Sequence, residues 1–316
     1  MPVTSRTDVV RPGDGFAHWH AVTCRRYSLT ECNAVPDRRF SARISLGAFG
    51  PLTISKISST IGGGDPLRVV RGAGDIRRDG RDDFMIWLPL EGETAFAQDG
   101  RALRMHCGDL LLHDQAQPFD LQFGRHADAM MITVPRPLLL ARLPEAAAMV
   151  ARPLSAASRC GALAADLMRD LLRLSEAAEV ELARRVGIAA LDIVAATFEA
   201  ELAGTAGPAH GDARLRQAKR YMMARLDDPA LDVETIARAQ HMSPRTLTRL
   251  FARAGETPIR WLWRQRLAAS YRMLAEGGAR NITEVALAHG FSDPSHFSRA
   301  FRQAFGRTPQ SVRAVR

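Results

Sequence analysis

Between about residues 40 and 135 the apolar positions fall in short runs separated by turn-forming residues. The runs occupy 42–49, 51–60, 67–71, 84–97, 101–114, 119–124 and 129–135. Their length and spacing predict strands rather than helices. Asp99-Gly100 after Gln98 is the signature of a tight hairpin. Strands recurring at this interval predict a barrel or double-sheet roll. Gly62 to Pro66 reads as a turn. After Pro135 the pattern becomes helical. Leu163, Leu167, Leu171, Leu172 and Leu174 mark one predicted apolar face, and Val186, Ile188, Leu191, Val194 and Phe198 a second. The small-residue, Pro/Gly-containing stretch 204–212 predicts a linker. The rest reads as helices broken at 227–229, 255–258, 277–278, 290–294 and 306–309.

The helical third contains an internal repeat. Residues 232–239 match 281–288 at an offset of 49, and 244–251 match 294–301 at an offset of 50. The extra residue falls in the turn, where Met242-Ser243 faces Phe291-Ser292-Asp293, and both copies end in Thr-Pro. Each copy predicts a helix, a turn and a second helix. In the first, Asp232 and Ser243 are the expected N-caps, with Pro244 at a position where its missing N–H costs nothing. Val233, Ile236, Ala237, Leu247, Leu250 and Phe251 are expected inside. In the second, Asn281 and Asp293 cap, and Ile282, Val285, Phe297, Ala300 and Phe301 are expected inside. Ser243, Arg245, Thr248, Arg249 and Arg253 then face outward, as do Ser295, His296, Ser298, Arg299 and Arg302. Exposed Arg, Ser and Thr on the second helix suit the reading of base edges and phosphates in a major groove. Between the copies, 259–276 is an unbroken helical pattern that spans about 27 Å at the α-helical rise. Leu262, Leu267, Tyr271 and Leu274 are expected to pack on both units. Arg260, Arg264 and Arg266 are expected outward or towards phosphates. Such a strut can hold two recognition helices roughly one DNA turn apart.

Charge sharpens this picture. Residues 213–316 carry 19 Lys+Arg against 8 Asp+Glu, a net of +11, while 1–212 have a net of −2. The excess positive charge therefore lies wholly in the repeat-bearing segment, as expected of a phosphate-binding module. Cys24, Cys32, Cys107 and Cys160 show neither CxxC spacing nor a disulfide-rich density, and predict reduced thiols. No apolar stretch suits a signal peptide or a bilayer span, so the expectation is a cytoplasmic chain without membrane contact.

The segment 213–316 resembles the DNA-binding domain of the AraC/XylS family of bacterial transcription regulators. The match runs through Ile236-Ala237, Met242-Ser243, Leu247, Arg249, Phe251, Gly255, Pro258, Arg266-Leu267, Ile282, Val285-Ala286, Gly290-Phe291, Phe297-Ser298-Arg299, Phe301, Gly306 and Pro309. The β-rich half resembles the sensor domain of the XylS-like branch through 84–90, Gly92, Gln98, Gly100-Arg101, Gly108-Asp109, Pro118-Phe119 and 134–136. The resemblance implies an α+β protein in two domains. A cupin-like β-roll at about 40–135, followed by dimerisation helices at about 136–203, makes up domain 1–203. An all-α domain of two helix-turn-helix units joined by a linker helix makes up 213–316. It also implies that helices 243–254 and 293–305 enter successive major grooves of promoter DNA. The implied partners are RNA polymerase through its sigma subunit, a small-molecule effector and a second copy of the chain, with activation as the output.

Candidate chemistry in the β-half is sparse. His18 and His20 precede the strands, and His106, His113 and His126 are separated by turns without the HxH…E ligand spacing of a metal-dependent cupin. No metal or cofactor is therefore expected, and His113 reads as a strand-end residue. There is no GxSxG, GKS/T or GxGxxG motif, so no catalytic residue is assigned. Effector contacts are expected on the inward faces of the roll, at Trp87, Met85 and His106. A metal-dependent cupin enzyme fused to a DNA-binding domain, or a constitutive regulator without an effector, are the alternative readings.

Overall fold

The computed structural model describes residues 3–6, 14–32, 40–62, 66–175, 179–205, 210–278 and 281–313. The chain divides into one compact unit of 1–139 with 145–202 and another of 140–144 with 203–316.

The first unit is a ten-stranded antiparallel sheet rolled on itself. Its strands are β1 (Val3–Arg6), β2 (Glu31–Cys32), β3 (Phe40–Phe49), β4 (Leu52–Ile61), β5 (Leu67–Arg71), β6 (Phe84–Gln98), β7 (Arg101–Met105), β8 (Leu110–Asp114), β9 (Phe119–Val134) and β10 (Pro153–Leu154). Long β9 is the organiser: it pairs with β4, β5 and β6. The β6–β9 register slips at Pro89/Glu91 and again at Gly92/Thr94. The first lies where Pro89 removes a ladder donor and the second at Gly92, whose φ is +84°, and such bulges let two very long strands bend. The Asp99-Gly100 turn takes left-handed φ values of 54° and 70° and closes the β6–β7 hairpin at Gln98 and Arg101. The turn read at 62–66 falls largely on 63–65, outside the described residues.

Short helices α1 (Gly15–Val22), α2 (Ala73–Asp79), α3 (Arg136–Leu140) and α4 (Ala146–Met149) flank the sheet, and α1 runs into a π-turn at Thr23–Tyr27. Two longer helices follow, α5 (Arg159–Ser175) and α6 (Val180–Thr205). Gly187 lets α6 approach the β3–β4 hairpin closely, since a Cβ there would meet Phe49 at 2.8 Å. The α5 face expected inside is turned by about a quarter of the helix. Ala164, Ala165, Met168 and Leu171 are buried, whereas Leu163 and Leu174 are 56% and 42% exposed. Small alanines permit a tighter approach to the sheet than a leucine stripe would, and only one stripe of a helix can be buried there.

The second unit holds α7 (His210–Met223), α8 (Val233–Ala239), α9 (Pro244–Arg253), α10 (Pro258–Ala275), α11 (Ile282–Ala288), α12 (Pro294–Phe305) and α13 (Pro309–Val312). Of the expected linker 204–212, residues 204–205 end α6, 206–209 lie outside the described residues and 210–212 open α7, so its described part is helical. A core of Met222, Ile236, Ala237, Leu247, Phe251, Trp261 and Leu262 joins α7–α10. Phe291, Phe297 and Phe301 stack on one another and on α10 through Trp263 and Tyr271.

Candidate nucleic-acid interface and ligand cavity

All four predicted caps form. Asp232 accepts from the Thr235 amide at 2.8 Å, Ser243 from Thr246 at 3.2 Å, Asn281 from Glu284 at 2.7 Å and Asp293 from Ser295 at 2.8 Å. Each cap satisfies an otherwise orphaned N–H and fixes where its helix starts. As a result α9 and α12 begin in the same register, with proline first and fully buried anchors at Leu247 and Phe251 in one, Phe297 and Phe301 in the other. Arg249 and Arg299 then occupy the same place on the opposite face, and both are exposed.

The two faces differ in detail. Ser243, Arg245, Thr248, Arg249 and Arg253 are all exposed. On α12, Ser295, His296, Arg299 and Arg302 are exposed, and Ser298, Arg299 and Arg302 border a cleft of about 320 Å³ together with Thr308. Two expected contacts of α12 also touch the protein itself while staying open to solvent. The Ser298 hydroxyl donates to the Pro294 carbonyl at 2.9 Å, and the His296 ring packs edge-on against Trp263 at 5.8 Å. None of Arg245, Arg249, Arg253, Arg299 and Arg302 forms an ion pair with a described residue. Five cations are thus left without an internal counter-charge on one pair of helices.

Helix α10 packs against both helix-turn-helix copies through α9, α11 and α12. Arg260 and Arg264 are exposed, the latter bonded to Glu256 at 3.0 Å. Arg266 contradicts the expectation of an outward cation: it is 1% exposed. Its Nε donates to the Leu226 carbonyl at 3.0 Å, its Nη2 to the Asp228 carbonyl, and its plane lies 4.8 Å above the Trp263 ring. Burial pulls its pKa down, and Asp228 and Asp227 pull it back up. The planar fork suits two diverging carbonyls, which explains an Arg in a place where periodicity alone suggests solvent. Gly290, at φ +72°, lies directly over it; a Cβ there would be 2.8 Å from Arg266 Cζ.

In the first unit, Trp87 and Met85 line a cavity of about 50 Å³ inside the roll. His106 does not join them: it is exposed and borders a separate groove with Arg104 and Cys107. The register explains this, because Met105 pairs with Thr94 while Trp87 pairs with Leu111. The histidine at the cavity is His113. It lies one residue before the end of β8, close to the strand end expected for it, and is 1% exposed. Trp87 Nε1 donates to His113 Nδ1 at 3.1 Å. Burial, and secondarily Arg71, press the His113 pKa down to about 3, so the ring is neutral at working pH.

The cavity is covered by a segment that sequence patterning left unplaced. Trp19 of α1 and Cys24 and Tyr27 of the π-turn line it. That segment is tied down at its far end by charge. Arg71, fully buried, donates to Leu29 O at 2.8 Å and pairs with Asp79 at 2.7 Å. Asp79 in turn accepts from the Leu29 amide at 2.7 Å, and Arg81 donates to Tyr27 O at 2.6 Å. Burial raises the Asp79 pKa, but Arg71 and the Leu29 and Arg81 amides outweigh it and hold the carboxyl at about 2.

Among the described residues no group of three or more His, Cys, Asp or Glu is placed to hold a metal ion, and no helix is long and apolar enough to cross a membrane. Comparison with known proteins assigns both halves. An AraC-binding-like domain model matches residues 19–205, and a helix-turn-helix domain model matches 236–314. Transcriptional activator NphR of Rhodococcus sp is 30% identical over 311 residues, covering 97% of this chain and 91% of its own. The transcriptional activator RhaS of Escherichia fergusonii is 37% identical over 114 residues, 35% of this chain and 39% of its own. The crystal structure of the AraC-like transcriptional activator CuxR superposes with a TM-score of 0.57 at 19% identity, covering 86% of this chain and 96% of that one. That likeness speaks to the fold, whereas the domain model and the near full-length relative speak to descent: the chain belongs to the AraC family of DNA-binding transcriptional regulators.

Proposed function

We propose that this regulator reads two adjacent major-groove segments with α9 and α12 and activates transcription in response to a small molecule held in the β-roll. The observation that carries the DNA reading is the matched register of Arg249 and Arg299 on two capped helices, both exposed and without an internal ion pair. On this reading Ser243, Arg245, Thr248, Arg253, Ser295, His296, Ser298 and Arg302 make the flanking contacts. The working division is a sensor and dimerisation domain at 1–203, a linker at 204–212 and a DNA-binding domain at 213–316. RNA polymerase, through its sigma subunit, is the partner at the promoter, the chain acts in the cytoplasm, and no enzymatic step is assigned to it. Activation follows the name of the near full-length relative.

Arg249→Ala and Arg299→Ala should each weaken the cognate site by about 1–3 kcal/mol and relax specificity at one base position. Competition against random DNA checks this. Equal losses on both DNAs would assign these arginines to phosphates instead. A thermal-shift screen of neutral, anionic and cationic metabolites tests the effector reading, since a bound ligand stabilises by mass action. A screen in which no compound raises the melting point of the first unit would remove it.

The same reading makes the chain a homodimer through α6. Leu182, Val186, Ala189, Ile193 and Ala196 recur at alternating four- and three-residue steps, and none of them is buried. Leu182 and Ile193 are 50% and 41% exposed. A 4–3 apolar seam is what a second helix packs into. Ile193→Glu should raise the dimer dissociation constant at least tenfold in sedimentation equilibrium. An unchanged dimer would place the interface elsewhere.

A further inference from the structure

The cavity behind Trp87 carries information about what it takes. Five of the chain's twenty Phe, Trp and Tyr residues line it: Trp19, Tyr27, Trp87, Phe119 and Phe123. None of its lining residues is Asp, Glu, Lys or Arg. A carboxylate or ammonium placed there would lose its hydration with no opposite charge facing it, which costs several kcal/mol. The nearby guanidinium of Arg71 does not line the cavity and is already committed to Asp79.

The polar atoms specify more. An indole N–H only donates, so the Trp87–His113 hydrogen bond makes His113 Nδ1 the acceptor. In the neutral ring the proton then sits on Nε2, which is buried and reaches no partner among the described residues. Trp19 Nε1 is in the same position: buried, a donor by necessity, and unsatisfied. Both side chains line the cavity. The Thr30 hydroxyl, also buried on the lining, can donate or accept, whereas these two groups can only donate; with no charged group on the lining, they ask for an acceptor atom on an uncharged body.

Resting on the effector reading above, we propose that this site takes a small uncharged molecule with a flat apolar body and one acceptor group, such as a carbonyl, bound by His113 Nε2–H and Trp19 Nε1–H. The cavity of about 50 Å³ receives the acceptor end. That is a third of the ~150 Å³ that holds a benzene ring, so the ring displaces the unbranched side chains of Met85 and Met131, which repack at low cost.

Three compounds of one shape test this on the full-length chain by calorimetry: acetophenone, its isostere α-methylstyrene lacking the acceptor, and the anion benzoate. Acetophenone is expected to bind at least tenfold more tightly than α-methylstyrene, with benzoate not measurable at pH 7. Trp19→Phe, which keeps a ring in place, should weaken acetophenone by about threefold to tenfold and leave α-methylstyrene unchanged. Tightest binding by benzoate, or equal binding of the two neutral compounds, would overturn the ligand class while leaving a small-molecule site standing. Failure of all three to bind also overturns it, and the metabolite screen then decides separately whether an effector site exists.

Discussion

Asp79→Asn is expected to destabilise the first unit by about 3–5 kcal/mol, because it leaves the guanidinium of Arg71 buried without its counter-charge. The asparagine side chain keeps the size and some of the hydrogen bonds, so the loss isolates the charge. Hydrogen exchange of the β5 and β9 amides measures it within the intact chain. The pH dependence carries a sign that can be checked. Asp79 is held at about 2 against an ordinary 3.8, so its ionised form favours the folded state. The contribution is fully present above about pH 4 and is lost as the pH falls towards 2. Wild type and variant should therefore differ most at neutral pH and converge in acid. Asp75→Asn is the control: its partner Arg78 is largely exposed, and the loss should stay near 1 kcal/mol. A loss under 1 kcal/mol for Asp79→Asn, or one independent of pH, would mean that Arg71 is satisfied by the carbonyls of Leu29 and Gln115 alone.

The second large effect belongs to Arg266. Arg266→Ala removes two charge-assisted hydrogen bonds and leaves the Leu226 and Asp228 carbonyls without their donor, a cost of about 3–5 kcal/mol. Arg266→Lys should recover little, since a single ammonium cannot serve both carbonyls and cover Trp263. Gly290→Ala attacks the same contact from the other side. A Cβ there meets Leu226 O at 2.7 Å and forces a left-handed φ on a residue with a side chain; about 2 kcal/mol or more should be lost. Chemical denaturation of the second unit reads all three. An Arg266→Ala protein with full stability but weakened DNA binding would return this residue to the phosphate-facing role its helical position suggests.

The repeat, its four caps and the Asp99-Gly100 hairpin were legible because each depends on residues a few positions apart. Capping oxygen and N–H lie within three residues, and the inward stripe of each recognition helix follows from the helical period alone. The features that escaped depend on contacts far along the chain. Arg266 finds its carbonyls 40 and 38 residues away, and His113 meets Trp87 across 26. Strand β8 is buried on both faces, so alternation gave no sign that His113 points into a cavity. The covering segment 15–27 carries too short a pattern to declare its partner, although Phe16, Trp19 and Phe40 form one aromatic cluster. On α5 the leucines were visible, but the alanines beside them set the packing distance.

The one-residue insertion between the two copies, and the chemistry that follows it, give the DNA site a direction. On the reading proposed above, one recognition helix offers Arg245, Thr248, Arg249 and Arg253, and the other Ser295, His296, Ser298, Arg299 and Arg302, a less basic set. Two unlike readers on one chain have a head and a tail, so the stretch the chain would read is not expected to be self-complementary about its centre. Its two halves should then bear different base sequences in a fixed order. Reversing that stretch in a promoter exchanges which unit stands nearer the start of transcription, and spacing and orientation become part of the message along with the bases.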